Sequence, residues 1–252
     1  MRAVIYLLLL LMPYTVLHAQ KGTLDALRTK GIKALDLRKA YNTAKAVLIQ
    51  PDGKIVLSGF ATNRINEVSV LRLNEDGTPD PTFGQEGMAS SLLYSSVMAS
   101  SLALQADGKI VLGGQIWTGT CYEFMLIRYS DKGLIDATFG DSGLVITGFP
   151  HKSSIANSVA IQADGKIVLA GYAYSNLNEF DDFALARYHP DGSPDSTFDH
   201  DGRVVKASPV RTNDYFNSVH VQTTYLIISN WLFIGLICVF TLHYYKRARF
   251  VG

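Results

Sequence analysis

One ten-residue phrase is written three times along this chain: "QPDGKIVLSG" from Gln50, "QADGKIVLGG" from Gln105 and "QADGKIVLAG" from Gln162. A second phrase follows each copy in constant order: "LRLNEDGTPDPTFG" from Leu71, "IRYSDKGLIDATFG" from Ile127 and "ARYHPDGSPDSTFD" from Ala186. The aspartates at 52, 107 and 164 differ by 55 and 57 residues. Two motifs in fixed order at a near-constant period describe one supersecondary unit repeated in space, each copy burying a face that it cannot bury alone.

Within a unit the periodicity is that of strands. Val47 and Ile49, matched by Leu102 and Leu104 and by Val159 and Ile161, alternate with small residues up to an Asp-Gly pair. Asp52-Gly53, Asp107-Gly108 and Asp164-Gly165 read as tight turns, the aspartate bonding local backbone and the glycine accepting positive φ. The "IVL" that follows has no polar alternate, so the second strand is expected to be buried on both faces. A third strand carries Arg72, Arg128 and Arg187, a second turn is centred on Gly77, Gly133 and Gly192, and a fourth strand starts near Gly87, Gly143 and Gly202. Four antiparallel strands in about 55 residues make a propeller blade, somewhat longer than the ~40 to 45 residues of WD-type blades.

The expected fold is therefore all-β: a β-propeller-like array of four-stranded antiparallel blades over 20–222, about three of them complete. Two partial blades flank them. "KGTLDALRTKGIKALDL" reads as a last turn and outer strand, and a fourth repeat near 216 stops after its first strand, at Gln222. Since the smallest propellers use about four blades, the array is expected to be open, which would favour self-association.

Both ends read as targeting segments. Residues 1–19, with Arg2 before an apolar run and Ala19 before the expected cut, have the pattern of a signal peptide. Tyr225 to Tyr244 contain no Asp, Glu, Lys or Arg, and a helix of that length reaches about 30 Å, so 223–245 is expected to be a transmembrane helix. The basic 246–252 then reads as a cytoplasmic tail, placing the body at the cell surface or in the periplasm, or, without the anchor, in the medium. A formal charge of +1 with interspersed signs argues against nucleic acid as a partner. The two cysteines, Cys121 and Cys238, fall one in the body and one in the apolar stretch, so no disulfide framework is expected.

The repeated polar residues read as architecture. Asp80, Asp136 and Asp195 are expected to fix turns, in contact with the arginines, while Phe83, Phe139 and Phe198 plug gaps between blades. Calcium is disfavoured at these turns because Lys132 puts an ammonium where a ligand oxygen belongs. No catalytic triad, metal-type histidine pair, phosphate loop or cofactor fingerprint stands out. Variation gathers between the second and third strands, in "ATNRINE", "QIWTGTCYE" and "YAYSNLNEFDD". Trp117, Tyr122 and Glu123, with Tyr172, Tyr174, Asp181 and Asp182, are candidates for a loop surface that binds a glycan or a protein.

The paired motifs "QPDGKIVLSG" and "DGSPDSTFD" resemble those of the delta-60 repeat family of bacterial exported proteins, over roughly residues 21–222. The resemblance implies a β-propeller fold and export but supplies no catalytic residues. Three readings of function follow. The first is an exported, membrane-tethered propeller with a binding or scaffolding role. The second is a truncated or frameshifted fragment of a larger secreted propeller, and the third a propeller-based glycan hydrolase or lyase.

Overall fold

The computed structural model describes residues 41–62, 66–91, 97–175, 181–206, 216–221, 226–234 and 237–245. The segments read as signal peptide, N-terminal half-blade and basic tail lie outside these residues. So do the 63–65 and 176–180 portions of two variable loops.

Three four-stranded antiparallel sheets follow one another, each a simple meander. The first is β1 (Tyr41–Ile49), β2 (Ile55–Thr62), β3 (Asn66–Leu73) and β4 (Met88–Ser91). The second is β5 (Val97–Leu104), β6 (Ile110–Trp117), β7 (Tyr122–Tyr129) and β8 (Leu144–Thr147). The third is β9 (Ser153–Ile161), β10 (Ile167–Tyr174), β11 (Asp182–Tyr188) and β12 (Arg203–Lys206). Register repeats with the sequence. Val47, Leu57, Leu71 and Met88 are cross-strand neighbours in the first sheet, as are Leu102, Leu112, Ile127 and Leu144 in the second. Val159, Leu169, Ala186 and Arg203 complete the set in the third.

The "SG", "GG" and "AG" pairs have a steric cause. The first strand of every sheet bulges at one place, between Ala44 and Ala46, between Ala99 and Ser101, and opposite Ala170 and Gly171. The bulge drives a carbonyl onto the neighbouring strand. A methyl on Gly59, Gly114 or Gly171 would overlap the carbonyl oxygen of Thr43, Met98 or Ile155, so only glycine fits.

Successive sheets pack through the first strand of the later one: β5 lies against β1, β2 and β3, and β9 against β5, β6 and β7. Val56, Val68, Val70 and Phe83 of the first sheet share one core with Ile110, Leu112, Met125, Ile127 and Tyr129 of the second. Phe124, Leu126 and Phe139 share the next with Val159, Ile167, Leu169 and Tyr188. Fully burying each such side chain contributes about 1.5–3 kcal/mol, so cohesion resides between sheets as much as within them. Val47 and Ile49 depart from the expected pattern, being 62 and 71% exposed while Val159 is 5% exposed. The described residues include no sheet before the first to cover them.

Within the stretch 223–245, expected to be a helix, the described residues 226–234 and 237–245 form strands instead. After β13 (Phe216–Val221), the chain continues as β14 (Leu226–Ile234) and β15 (Ile237–Tyr245), giving a fourth, three-stranded meander. The first strand of the partial fourth repeat is thus followed by two further strands whose sequence does not carry the repeat motif. Length and apolarity pointed to a span, but "LIISNWLFI" and "ICVFTLHYY" are rich in β-branched and aromatic residues, which suit a pleated surface. β13 packs on β9 and β10, as each earlier first strand packs on its predecessor, so the hairpin extends a sheet already in register. No helix among the described residues is long and apolar enough to cross a membrane.

Candidate functional site

The meander sorts the connections by end. Both repeated turns, β1–β2 and β3–β4 with their counterparts, fall at one end of the sheets, and the β2–β3, β6–β7 and β10–β11 loops fall at the other. The connections from one sheet to the next join the latter. The repeated motifs and the loops that differ between copies are thereby kept apart.

At the turn end the three copies build one device. Gly53, Gly108 and Gly165 have φ of 82°, 84° and 81°, each closing a turn whose amide returns to Gln50, Gln105 or Gln162. The Asp52, Asp107 and Asp164 side chains accept from the amides of Lys54, Lys109 and Lys166. In the second motif Arg72 Nε donates to Asp80 at 2.8 Å and Arg187 Nε to Asp195 at 2.7 Å, while Arg128 and Asp136 form an ion pair at 3.0 Å. Each guanidinium lies over the following Phe83, Phe139 or Phe198 ring, 4.5, 4.5 and 4.6 Å from its centre.

This device also reaches the next sheet. Arg72 Nη1 donates to the Asp131 carbonyl at 2.5 Å and Arg128 Nη1 to the Pro190 carbonyl at 2.6 Å. The Gly84 and Gly140 amides donate to the Lys132 and Asp191 carbonyls. Phe83 and Phe139 press against Gly133 and Gly192, where an added methyl would come within 3.0 Å of either ring. In the third copy Arg187 Nη1 makes no hydrogen bond among the described residues, and its side chain is 21% exposed against 8 and 6% for Arg72 and Arg128.

The carboxylates are held ionised. Asp136 is lowered to about 2, chiefly by the Thr138 hydroxyl, with burial opposing and Lys109 and Arg128 assisting. For Asp80 and Asp195 burial is the largest influence and pushes upward. It is outweighed by the hydroxyls and amides of Thr82 and Thr197 together with Arg72, Lys166 and Arg187, so both lie below the ordinary value.

At the loop end, a cleft of about 340 Å³ lies where the second and third sheets meet, lined by Thr120, Cys121, Glu123, Phe149, His151, Lys152, Ser153, Tyr174 and Ser175. Glu123 and Tyr174, two of the candidates from sequence, line it. Trp117 and Tyr122 close the β6–β7 hairpin as an edge-to-face pair with centroids 5.1 Å apart. Tyr172 lies beside Tyr174 at 6.0 Å, and its hydroxyl is raised, mainly by burial and then by Asp181. Asp182 does not line the cleft but fixes Lys152 in an ion pair at 2.6 Å. Cys121 Sγ donates to Glu123 Oε1 at 3.6 Å.

Sequence reasoning missed the contribution of the β8–β9 connection. Phe149 to Lys152 form a turn in which the Lys152 amide donates to the Phe149 carbonyl, with Pro150 second and His151, φ 58°, third. The pattern of proline followed by a positive-φ residue is that of a type II turn. Pro150-His151-Lys152 was the available signal, a turn former next to two ionisable side chains. Among the described residues no group of three or more His, Cys, Asp or Glu is placed to hold a metal ion.

Residues 50–83, 105–139 and 162–198 match a protein family described as "Domain of unknown function (DUF5122) beta-propeller". Three segments of the chain are thus similar to a propeller family, each spanning the first turn, the two middle strands and the second turn of one of the first three sheets. No curated protein matches the sequence.

Proposed function

We propose that the protein is an exported propeller-repeat protein of the delta-60 type that acts by binding or scaffolding, with ligands engaged at the loop end of its sheets. One observation supports this above the others: the repeated residues are consumed by turn and inter-sheet contacts at one end, while the unlike residues gather around a cleft at the other. Binding accounts for the cleft better than hydrolysis does. Glycoside hydrolases commonly use two carboxylates flanking the bond. Glu123 is the one carboxylate on the described lining, and Asp182 is committed to Lys152.

Two experiments test the reading. Purified protein is applied to arrays of glycans and peptides, where Trp117→Ala and Tyr174→Ala are expected to reduce capture and Lys109→Ala to leave it unchanged. The reverse pattern overturns the loop-end assignment. For export, N-terminal sequencing of protein recovered outside the cytoplasm is expected to begin at Gln20, and retention of the uncut chain in the cytoplasm overturns it.

A further inference from the structure

We infer that the cleft between the second and third sheets is the seat of a short neutral glycan and discriminates against acidic sugars. The inference rests on the loop-end reading and narrows it to one site and one chemistry. A cleft of about 340 Å³ is within the size of small-ligand sites. A stable protein partner needs about 800 Å² of surface on each side, more than a recess of this size provides.

Its lining combines an apolar floor with unlike polar groups. Phe149, 4% exposed, is fixed edge-to-face against Phe124 at 5.0 Å, and Tyr174 adds a second ring supported by Tyr172. Phe149 seals the floor, and the half-buried Tyr174 ring offers the face that meets the C–H side of a pyranose, whose hydroxyls need acceptors and donors around the edge. Thr120, Ser153 and His151 are placed there, with the Glu123 carboxylate. Among the described residues Glu123 has the Cys121 thiol as its hydrogen-bond partner and no cation within ion-pair distance. A carboxylate in that condition accepts from two neighbouring hydroxyls at once.

Charge decides against anionic ligands. Lys152 is taken by Asp182 at 2.6 Å. Arg203, whose Nη1 donates to the Gly148 carbonyl beside the cleft, is paired with Asp201 at 2.6 Å. Both nearby cations are therefore compensated, and a uronate entering the cleft would meet Glu123 without a counter-charge of its own.

Isothermal titration of the full chain with cellotetraose, maltotetraose and chitotetraose, against tetragalacturonate, tests this. At least one neutral sugar is expected to bind about tenfold or more tightly than the uronate, and Glu123→Gln to weaken that binding by about tenfold, the loss of a charge-assisted acceptor. Glu123→Lys is expected to reverse the preference. Equal binding of tetragalacturonate, or neutral-sugar binding indifferent to both Glu123 variants, overturns the inference. If no neutral sugar binds while an array peptide is lost on Tyr174→Ala, the glycan falls and the loop-end reading stands. If the turn-end variant Lys109→Ala abolishes capture instead, both fall.

Discussion

At the scale of single residues, one glycine and one carboxylate carry most of what the repeat demands. Gly114 faces the Met98 carbonyl across the bulge, so Gly114→Ala is expected to cost about 2 kcal/mol or more through overpacking. Urea unfolding measures it, and a loss below 0.5 kcal/mol, roughly the range of surface substitutions, would show that the bulge relaxes. Asp136 lies below its ordinary 3.8, at about 2, because the folded chain hydrogen-bonds its ionised form. A depressed carboxylate contributes stability that is complete above the unfolded value and lost as pH falls through the folded one. Stability is therefore expected to hold above about pH 4 and decline between about 4 and 2. Asp136→Asn should remove part of that slope and cost about 3 kcal/mol at neutral pH, since it leaves the buried Arg128 without its carboxylate.

Strands and turns show where a sequence can be read and where it misleads. Both glycine turns, the four strands and the buried "IVL" were legible, because turn chemistry and a period of two are local properties repeated three times. Residues 226–245 were not, since an apolar run of that length satisfies a membrane helix and a strand pair equally well until its neighbours are known. In the structure the preceding β13 decides, offering a free edge in register, with Val219 paired to Ile228 and Ile228 to His243. Amides of β14, paired on both sides, are accordingly expected to exchange with deuterium more slowly than those of β15, which among the described residues is paired on one. A uniform helical pattern of protection across 226–245 would refute this. The cleft was half legible: Glu123 and Tyr174 stood out as departures from the repeat. Phe149 and His151 did not, because an inter-sheet connection has no second copy to differ from.

Across the whole molecule, stability should be graded along the chain. Phe139 is fully buried against Gly192 of the following sheet, whereas Phe198 is half-buried and lacks such a glycine among the described residues. Phe139→Ala is expected to cost about 3–5 kcal/mol, in line with buried aromatic truncations, and Phe198→Ala less than half of that. Equal losses in thermal unfolding would mean that the third device is occupied like the others. Arrays coupled by nearest neighbours lose cooperativity where one coupling is weak, so the fourth sheet should open before the first three.

The sheet-to-sheet device has a direction: guanidinium, amide and ring are given forward, and two carbonyls with a glycine receive them. Length is therefore a modular quantity in this architecture. After Lys206 the donor half is already in place on Arg187 and Phe198, so a repeat copied there needs to bring only the carbonyls and glycine of its own second turn to be accepted. Duplication of a gene segment of about 55 codons, in any frame-preserving number, yields an array that stays in register. The loop end can then diversify copy by copy without disturbing the joints.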